Sequence, residues 1–179
     1  IERALTSLKF EKPKEIQSAV YPIARKGADI IATAETGSGK TAAFGIPLLE
    51  KLLESDNSQA LILAPTRELA QQIKEFMEQL ARCCDGIKIS LLVGGIDIRK
   101  QFNSLKRKPR LIIATPGRLN DHLKRKTLSL KRVEVLVLDE GDRMLDMGFA
   151  PQLDEILKYL PKERQSFLFS ATMAPKVKD

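Results

Sequence analysis

Short apolar runs alternate with segments of helical periodicity along nearly the whole chain. Most of the runs lack a strict polar–apolar alternation, which is typical of strands buried on both faces of a parallel sheet. The predicted strands are Ile30–Ala32, Ala60–Ala64, Ile87–Val93, Leu111–Ala114, Val133–Leu138 and Ser166–Phe169. Their regular spacing leaves room for a helix between most neighbouring strands.

The segments between the runs carry apolar residues every three or four positions, which predicts amphipathic helices. The predicted apolar faces are Ile16, Ala19, Val20, Ile23 and Ala24, in a helix ending at Gly27; Leu69, Ile73, Phe76, Met77 and Leu80; and Leu153, Ile156, Leu157 and Leu160. Pro22 and Pro47 fall inside helical patterns, so kinked or interrupted helices are expected there. Alternating strands and helices predict an α/β domain, a mainly parallel sheet with helices on both faces and right-handed crossovers.

The composition fits one globular domain over residues 1–179, with 43% hydrophobic and 30% charged residues. No apolar run approaches the roughly 20 residues that span a bilayer, so no membrane partner is expected. The first residue is Ile1, without a signal-peptide pattern, and a fragment is expected. Cys83 and Cys84 are adjacent, which suggests a reducing compartment. An intracellular, cytoplasmic location is therefore expected, with the nucleus as the alternative.

The net charge of +7 is consistent with a nucleic-acid partner, although charge alone does not establish one. The densest clusters are Lys106–Lys108, Lys124–Lys126 and Lys131–Arg132. We interpret them mainly as solvated faces, of which a minority touch phosphates. His122 is the one histidine of the chain, lies in a polar helical stretch and receives no function.

A glycine-rich segment, Ala34–Thr41, directly follows the first predicted strand. Strand, tight loop and helix start together aim backbone N–H groups and a helix N-terminus at one point, which suits a phosphate chain. Lys40 can reach the terminal phosphates, and the Thr41 hydroxyl can bind the accompanying Mg²⁺. The strict pattern has Gly where this chain has Ala34, so an ordinary glycine-rich turn is the alternative.

Two acidic residues follow the buried strand Val133–Leu138. Ligands of open parallel sheets bind at the carboxyl ends of the strands. Asp139 is thus placed to hold Mg²⁺, and Glu140 to orient and activate a water against the γ-phosphate. The segment ends with Gly141 and Asp142.

Four other strand ends deliver small, hydroxyl or arginine residues to the same edge: Pro65–Ala70, Gly94–Gly95, Thr115–Arg118 and Ser170–Thr172. Thr66, Arg67, Thr115 and Arg118, together with helix N-terminal amides, are a plausible track for a sugar-phosphate backbone. Taken singly, Thr66 and Thr115 could simply cap helices.

The order of these motifs resembles the N-terminal RecA-like ATPase domain of a DEAD-box RNA helicase, from about Phe10 to Thr172. Phe10–Gln17 is similar to the family's adenine-reading Q motif, and the family's phosphate loop itself carries Ala at position 34. The resemblance implies a RecA-like phosphate-loop NTPase fold and an enzyme. Its activity would be RNA-stimulated ATP hydrolysis with Mg²⁺, coupled to unwinding or remodelling of RNA. The chain would be the helicase ATP-binding domain. A second RecA-like domain of the same polypeptide, missing from this chain, would be its partner.

The resemblance also implies roles for individual residues of the nucleotide site. Gln17 would hydrogen-bond the adenine edge, and main chain near Phe10 and Lys12 would complete that pocket. Asp139 would hold Mg²⁺ through water. Glu140 would position the attacking water. The residues that cradle the nucleotide would be Ala34, Glu35, Thr36, Gly37, Ser38, Gly39, Lys40 and Thr41.

Further roles concern RNA and its coupling to ATP. Asp142, counted with the catalytic residues Lys40, Asp139 and Glu140, would bond to Ser170 and Thr172 and link nucleotide state to RNA grip. The RNA, single-stranded or locally unwound, would be contacted at phosphates and riboses by Thr66, Arg67, Gly95, Thr115 and Arg118.

Three positions depart from the family pattern. Gly141 replaces the alanine that names the family, and Lys9 and Lys14 replace a usual Gly and a usual Thr or Ser. Gly141 supports an alternative function, a nucleotide-gated RNA clamp or scaffold with little hydrolysis. A phosphate-loop ATPase acting on protein is a third hypothesis, but it leaves Arg67 and Arg118 unexplained.

Overall fold

The structure is a computed structural model that describes residues 1–35 and 37–172. Thr36 of the predicted phosphate loop lies outside the described residues. The strands are β1 Ile30–Thr33, β2 Gln59–Leu63, β3 Ile89–Leu92, β4 Leu111–Ala114, β5 Val133–Leu138 and β6 Gln165–Ser170. The helices are α1 Glu2–Ser7, α2 Glu15–Arg25, α3 Lys40–Glu54, α4 Arg67–Ala81, α5 Ile98–Lys106, α6 Pro116–Lys124, α7 Gly141–Asp146 and α8 Ala150–Leu157.

The strands form one parallel sheet in the order β1-β6-β5-β2-β4-β3. The first and last strands of the described chain are therefore neighbours, with Ile30 opposite Phe167. Since all strands run the same way, their carboxyl ends lie at one edge of the sheet. The predicted parallel sheet is confirmed, and every described strand belongs to it.

Apolar side chains of the strands point alternately into two cores. Ile62 belongs to the core that also contains Phe44 of α3 and Met77 of α4. Leu61 belongs to the opposite core, with Leu123 of α6. Helices thus cover both faces of the sheet, as predicted, and the buried strands explain the continuous apolar runs.

The helices differ from the predictions at two exposed positions, and the prolines interrupt neither helix. Ile23 of α2 and Leu157 of α8 are 45% and 41% exposed, so the predicted apolar faces include solvent-facing positions. Pro22 and Pro47 lie inside α2 and α3 without interrupting either helix. Burial of the α3 face, fully buried at Leu48 and Leu49, outweighs the hydrogen bond that Pro47 cannot make.

None of the helices in the described ranges combines the length and the apolar composition that crossing a membrane requires.

Candidate nucleotide site and strand-end groove

A cleft of about 510 Å³ lies at the carboxyl ends of β1 and β5. We call it the nucleotide cleft. The structure brings together there most of the residues predicted to hold nucleotide, although they come from three separate segments. Its lining includes Phe10, Lys12, Gln17, Gly37, Gly39, Lys40, Thr41, Asp139 and Glu140.

The glycine-rich loop connects β1 to α3 as the sequence predicts. Gly37 and Gly39 have φ angles of +84° and +95°, a left-handed conformation that favours glycine. The Ser38 hydroxyl donates to the Glu35 carbonyl at 2.6 Å, and the Ala34 N–H donates to the Ser170 carbonyl at 3.0 Å. The loop is thereby tied to itself and to the end of β6.

A buried ion pair lies at the floor of the cleft. Lys40 is 7% exposed and Asp139 is 1% exposed, and Nζ lies 3.6 Å from Oδ1. Burial raises the pKa of the Asp139 carboxyl above its usual value, while the Lys40 ammonium opposes that shift. Asp139 therefore depends on a nearby cation to stay ionised.

Glu140 has an unusual backbone for a non-glycine residue, with φ +54° and ψ +52°. This left-handed conformation costs about 1–2 kcal/mol. It lets the Glu140 N–H donate to Asp139 Oδ1 at 3.0 Å while the residue caps α7. The Glu140 carboxylate accepts from Arg143 Nη1 at 3.1 Å.

Gln17 does not present a free amide to the cleft. Its Nε2 donates to the Gly39 carbonyl at 3.2 Å, and its Oε1 accepts from the Lys14 N–H at 2.9 Å. Lys14, to which the sequence assigned no role, donates from Nζ to the Gly37 carbonyl at 2.8 Å. The available signal was a glutamine three residues after the start of a helix, the spacing of a capping box.

Asp142 lies against the segment after β6. Its Oδ2 accepts from the N–H and the hydroxyl of Thr172, both at 3.0 Å, and its N–H donates to the Ser170 hydroxyl at 3.3 Å. Partial burial by itself would raise the pKa of Asp142. Donors from Arg143, Thr172 and Ser170 outweigh burial, and the pKa lies below its usual value.

A second depression of about 460 Å³, the strand-end groove, runs along the same edge of the sheet. It collects four of the five residues predicted to contact RNA, and Gly95 lies beside it, close to Arg67. Thr66 caps α4, its hydroxyl accepting from the Leu69 N–H at 3.2 Å. Thr115 begins α6 without a side-chain cap. The lining includes Thr66, Arg67, Gly94, Thr115, Arg118, Met147 and Phe149.

His122 is fully buried, contrary to its polar surroundings in the sequence. Nε2 lies 2.8 Å from Gln101 Oε1, and Gln101 Nε2 donates to the Val93 carbonyl at 2.8 Å, directly before Gly94. Burial, assisted by the Arg118 guanidinium, lowers the pKa of His122 to about 4. The neutral imidazole therefore supports the groove from behind, a role that no sequence pattern indicated.

The fold and the nucleotide cleft define a RecA-like phosphate-loop domain, with the loop after β1 and the acidic strand end after β5. The chain belongs to the DEAD/DEAH box helicase family, whose model matches residues 14–179. The predicted family resemblance and fold are thus confirmed.

Two curated relatives illustrate the match. Over 97% of its length the chain is 52% identical to "ATP-dependent rRNA helicase RRP3" of Pyricularia oryzae, and it covers 32% of that protein. Over 99% of its length it is 49% identical to "ATP-dependent RNA helicase DRS1" of Candida albicans, covering 30%. The chain thus spans about a third of the length of these relatives.

Solved structures agree in fold. A DEAD box protein from Methanococcus jannaschii matches 98% of the chain with a TM-score of 0.92 and 42% identity, and the match covers 48% of that protein. The yeast DEAD-box splicing factor Prp28 matches 97% of the chain with a TM-score of 0.92 and 36% identity, covering 44%.

Proposed function

We propose that this chain is the ATP-binding motor domain of an RNA helicase that couples RNA-stimulated ATP hydrolysis to unwinding or remodelling of RNA. The observation that supports this most is a continuous path between two sites on one sheet edge. Asp139 and Glu140 line the nucleotide cleft, and Met147 and Phe149, a few residues later, line the strand-end groove. Asp142 lies between them and bonds to Thr172.

In this proposal, the loop N–H groups and Lys40 bind the phosphates of ATP. Arrival of the phosphates gives the Lys40 ammonium a second anionic partner beside Asp139. The adenine lies toward Phe10 and Lys12. Gln17 keeps one N–H and one oxygen lone pair beyond its bonds to Gly39 and Lys14, so it can bond the base while it still holds the loop at Gly39.

The residues of the cleft fit Mg²⁺. The Thr41 hydroxyl and the Asp139 carboxylate are hard oxygen donors, and Mg²⁺ typically uses one or two carboxylates together with phosphates and waters. Among residues 1–35 and 37–172, no three His, Cys, Asp or Glu side chains form a metal-binding group, which suits a metal held largely by phosphate and water. When bound, the metal neutralises charge on the transferred phosphoryl group.

Glu140 acts on the water in this mechanism. Its carboxylate orients the attacking water and accepts its proton, while the buried Asp139 stays ionised beside Lys40. Glu140 directly follows Asp139, and its left-handed backbone sets the direction of its own side chain. Asp142 couples the presence of nucleotide in the cleft to Ser170 and Thr172 through its hydrogen bonds to them.

RNA phosphates and riboses would lie along the strand-end groove. Arg67 Nη1 donates to the Gly94 carbonyl at 3.4 Å and Arg118 Nη1 to the Ile96 carbonyl at 2.8 Å. Each guanidinium therefore keeps further donors for phosphate. A second RecA-like domain of the same polypeptide would supply the remaining RNA contacts.

We expect residues 1–179 alone to bind adenine nucleotide modestly, to bind single-stranded RNA weakly and not to unwind a duplex. A single groove neutralises few phosphates, and each contact contributes about −0.7 to the slope of log affinity against log salt. Fluorescence anisotropy across a salt series measures that slope. Arg118→Gln removes about one phosphate contact, so the slope should become less steep by about 0.7. Robust ATP-driven strand separation by the isolated chain would contradict a two-domain mechanism.

The RNA clamp remains the second candidate function. The observation that favours it is Gly141, which replaces the alanine usual in the family directly after the catalytic acids. An added Cβ at Gly141 would lie 2.5 Å from Leu168 Cδ1, and the backbone there is helical. The obstructing atom is the end of a flexible, partly exposed side chain that borders an open groove. Alanine therefore fits after a rotation of Leu168.

We expect Gly141→Ala to change RNA-stimulated ATP turnover of the full-length protein only modestly. Alanine restricts the unfolded chain and thereby stabilises the folded protein by about 0.4–1 kcal/mol. The displacement of Leu168 reduces this gain. Pairing the substitution with Leu168→Ala removes the obstruction and should expose the stabilising effect in thermal unfolding. A rise in turnover of about a hundredfold, about 2.7 kcal/mol of barrier, would instead favour the clamp.

A further inference from the structure

Three runs of cations lie at the end of the domain opposite the nucleotide cleft. Lys106–Lys108 begin at the last residue of α5 and precede β4. Lys124–Lys126 begin at the last residue of α6, and Lys131–Arg132 directly precede β5. They therefore occupy the amino ends of the strands, whereas the nucleotide cleft and the strand-end groove occupy the carboxyl ends. All eight side chains are exposed. We call these eight residues the basic edge.

The three runs form one surface. Gln59, at the start of β2, donates from its N–H to the Arg132 carbonyl at 2.9 Å and from Nε2 to the Pro109 carbonyl at 3.0 Å. It thereby joins the segments that lead into β5 and β4. The contact of His122 with Gln101 joins α6 to α5. The Thr127 N–H donates to the His122 carbonyl at 3.1 Å and holds the end of the run Lys124–Lys126 against α6.

The cations of the basic edge form no close ion pairs in the part of the chain that the structure describes, and an acid in their field is Glu155 of α8, near Lys124. In the described ranges, none of the eight cations forms an ion pair. Between Lys106 and Glu134 the acids are Asp121, which pairs with Arg118 at 3.8 Å, and Glu134 itself. Arg110 shows the contrast, because it is buried and donates from Nε to the Ser58 carbonyl at 3.2 Å.

Helix stability explains only part of this charge. Lys106 and Lys124 lie in the last turns of α5 and α6, where a cation contributes about 0.3–1 kcal/mol. Lys108 and Lys126, by contrast, have φ angles of +53° and +54°, positions that glycine would occupy without strain. Lys9, outside the basic edge, has the same conformation with φ +56°, so the backbone alone assigns no use to the charge at Lys108 and Lys126.

The basic edge itself offers cations rather than apolar side chains. The exposed Leu157 and Tyr159 lie toward the same end of the sheet, at and just after the end of α8, but on a different segment from the three runs. Protein interfaces usually have an apolar, aromatic core, and helices that lie on membranes insert apolar side chains. A nucleic-acid backbone needs cations and no apolar anchor.

We propose that the basic edge is a second RNA-binding surface, which holds the phosphates of a structured RNA on the side of the domain away from the strand-end groove. The proposal takes RNA as the polyanion and to that extent rests on the proposed function. Binding there is independent of base sequence, because every contact is to phosphate. A strand of four to six residues spans roughly 13–20 Å, so at least that distance separates the two surfaces.

The test replaces Lys124, Arg125 and Lys126 together with glutamine in the full-length protein. A matched control, Arg3→Gln with Lys51→Gln and Lys74→Gln, removes the same charge from α1, α3 and α4 on the other face. Anisotropy across a salt series measures binding of a structured RNA of about 60 nucleotides, longer than two binding sites require. ATP turnover stimulated by a single-stranded 10-nucleotide RNA reports on the strand-end groove. Thermal unfolding confirms that each variant folds.

We expect the basic-edge variant to lose at least about tenfold in affinity for the structured RNA and two to three units of salt slope. Turnover with the short RNA should stay unchanged, and so should the control variant in both assays. A charge-preserving variant, Lys124→Arg with Lys126→Arg, should bind like the unmodified protein.

Three results would overturn the proposal. The first is unchanged affinity for the structured RNA, which would leave an acidic protein as the partner. The second is an equal loss in the control variant, and the third is an equal loss of turnover with the short RNA. If no RNA stimulated ATP turnover of the unmodified protein, the proposed helicase function would be refuted. The affinity for structured RNA would still show whether the basic edge binds RNA.

Discussion

Glu140→Gln in the full-length protein should lower RNA-stimulated ATP turnover by a factor of about 10²–10⁴, the usual contribution of a positioned general base. Glutamine has the same shape but cannot accept a proton from the attacking water. Asp139 and Lys40 remain in place on the floor of the cleft, so nucleotide affinity should stay within roughly threefold, under 1 kcal/mol. Single-turnover hydrolysis and a nucleotide titration measure the two quantities separately.

Glu140→Gln also alters the ion pair between Glu140 and Arg143, so a second variant must test that effect alone. Its carboxylate accepts from Arg143, and glutamine weakens that contact as well. Arg143→Met removes the ion pair and keeps the carboxylate, so it should retain most of the turnover. Turnover of Glu140→Gln at the unmodified rate would show that another residue handles the water.

Lys40→Ala should weaken ATP and ADP binding by about a hundredfold or more, about 2.7 kcal/mol. Lys40 is buried on the floor of the nucleotide cleft, whereas Lys9, Lys12 and Lys14 of its lining are exposed, so alanine removes the cation best shielded from solvent. Calorimetric titration of the folded variant measures the affinity. Unchanged affinity would refute the assignment of the phosphate loop.

The same substitution leaves Asp139 buried without its cation. Burial already raises the pKa of Asp139, and the loss of Lys40 should raise it further. An acid with a raised folded-state pKa favours the folded protein at low pH, and this advantage is lost as pH rises from the unfolded value near 3.8 through the folded value. The stability of Lys40→Ala should therefore fall more steeply with pH than that of the unmodified protein.

A double variant separates binding from stability. Lys40→Ala with Asp139→Asn removes both charges, so the steeper pH dependence should disappear while nucleotide binding stays lost. Restored nucleotide binding in the double variant would contradict the role of Lys40, because only the stability defect should be corrected.

Much of the fold follows from the sequence because its signals are local. Buried strands leave continuous apolar runs, and the predicted bounds fall within two residues of those observed, as for β4 and β5. The glycine-rich loop and the acidic strand end are each recognised from the spacing of residues within a short segment. The parallel sheet then brings both to one edge, which is why part of the cleft lining could be named in advance. Ala34 and Ser38 line a separate depression, and the α4 side chains of the cleft, among them Gln72 and Phe76, were not predicted as site residues.

Other features depend on contacts between distant segments. His122 is buried because α5 and the β3 end supply partners for it, and nothing near it in the sequence shows this. The engagement of Gln17 by Gly39 depends on how α2 meets the loop. Ile23 and Leu157 have the right periodicity for burial, but their helices turn those positions to solvent.

The pairing of β1 with β6 has a consequence for biosynthesis. In the described part of the chain β1 pairs with β6 and with no other strand, so the strand that carries the phosphate loop waits for Phe167–Ser170. Ribosomes add about 5–20 residues per second, and the loop leaves the exit tunnel seconds before its partner. During this interval β5, β2, β4 and β3 can pair with one another, because they are neighbours in the sheet, whereas β1 cannot join them. The ATP site is therefore completed only when β6 arrives, and a polypeptide that stops before β6 keeps every residue of the loop but not the strand that holds β1 in the sheet.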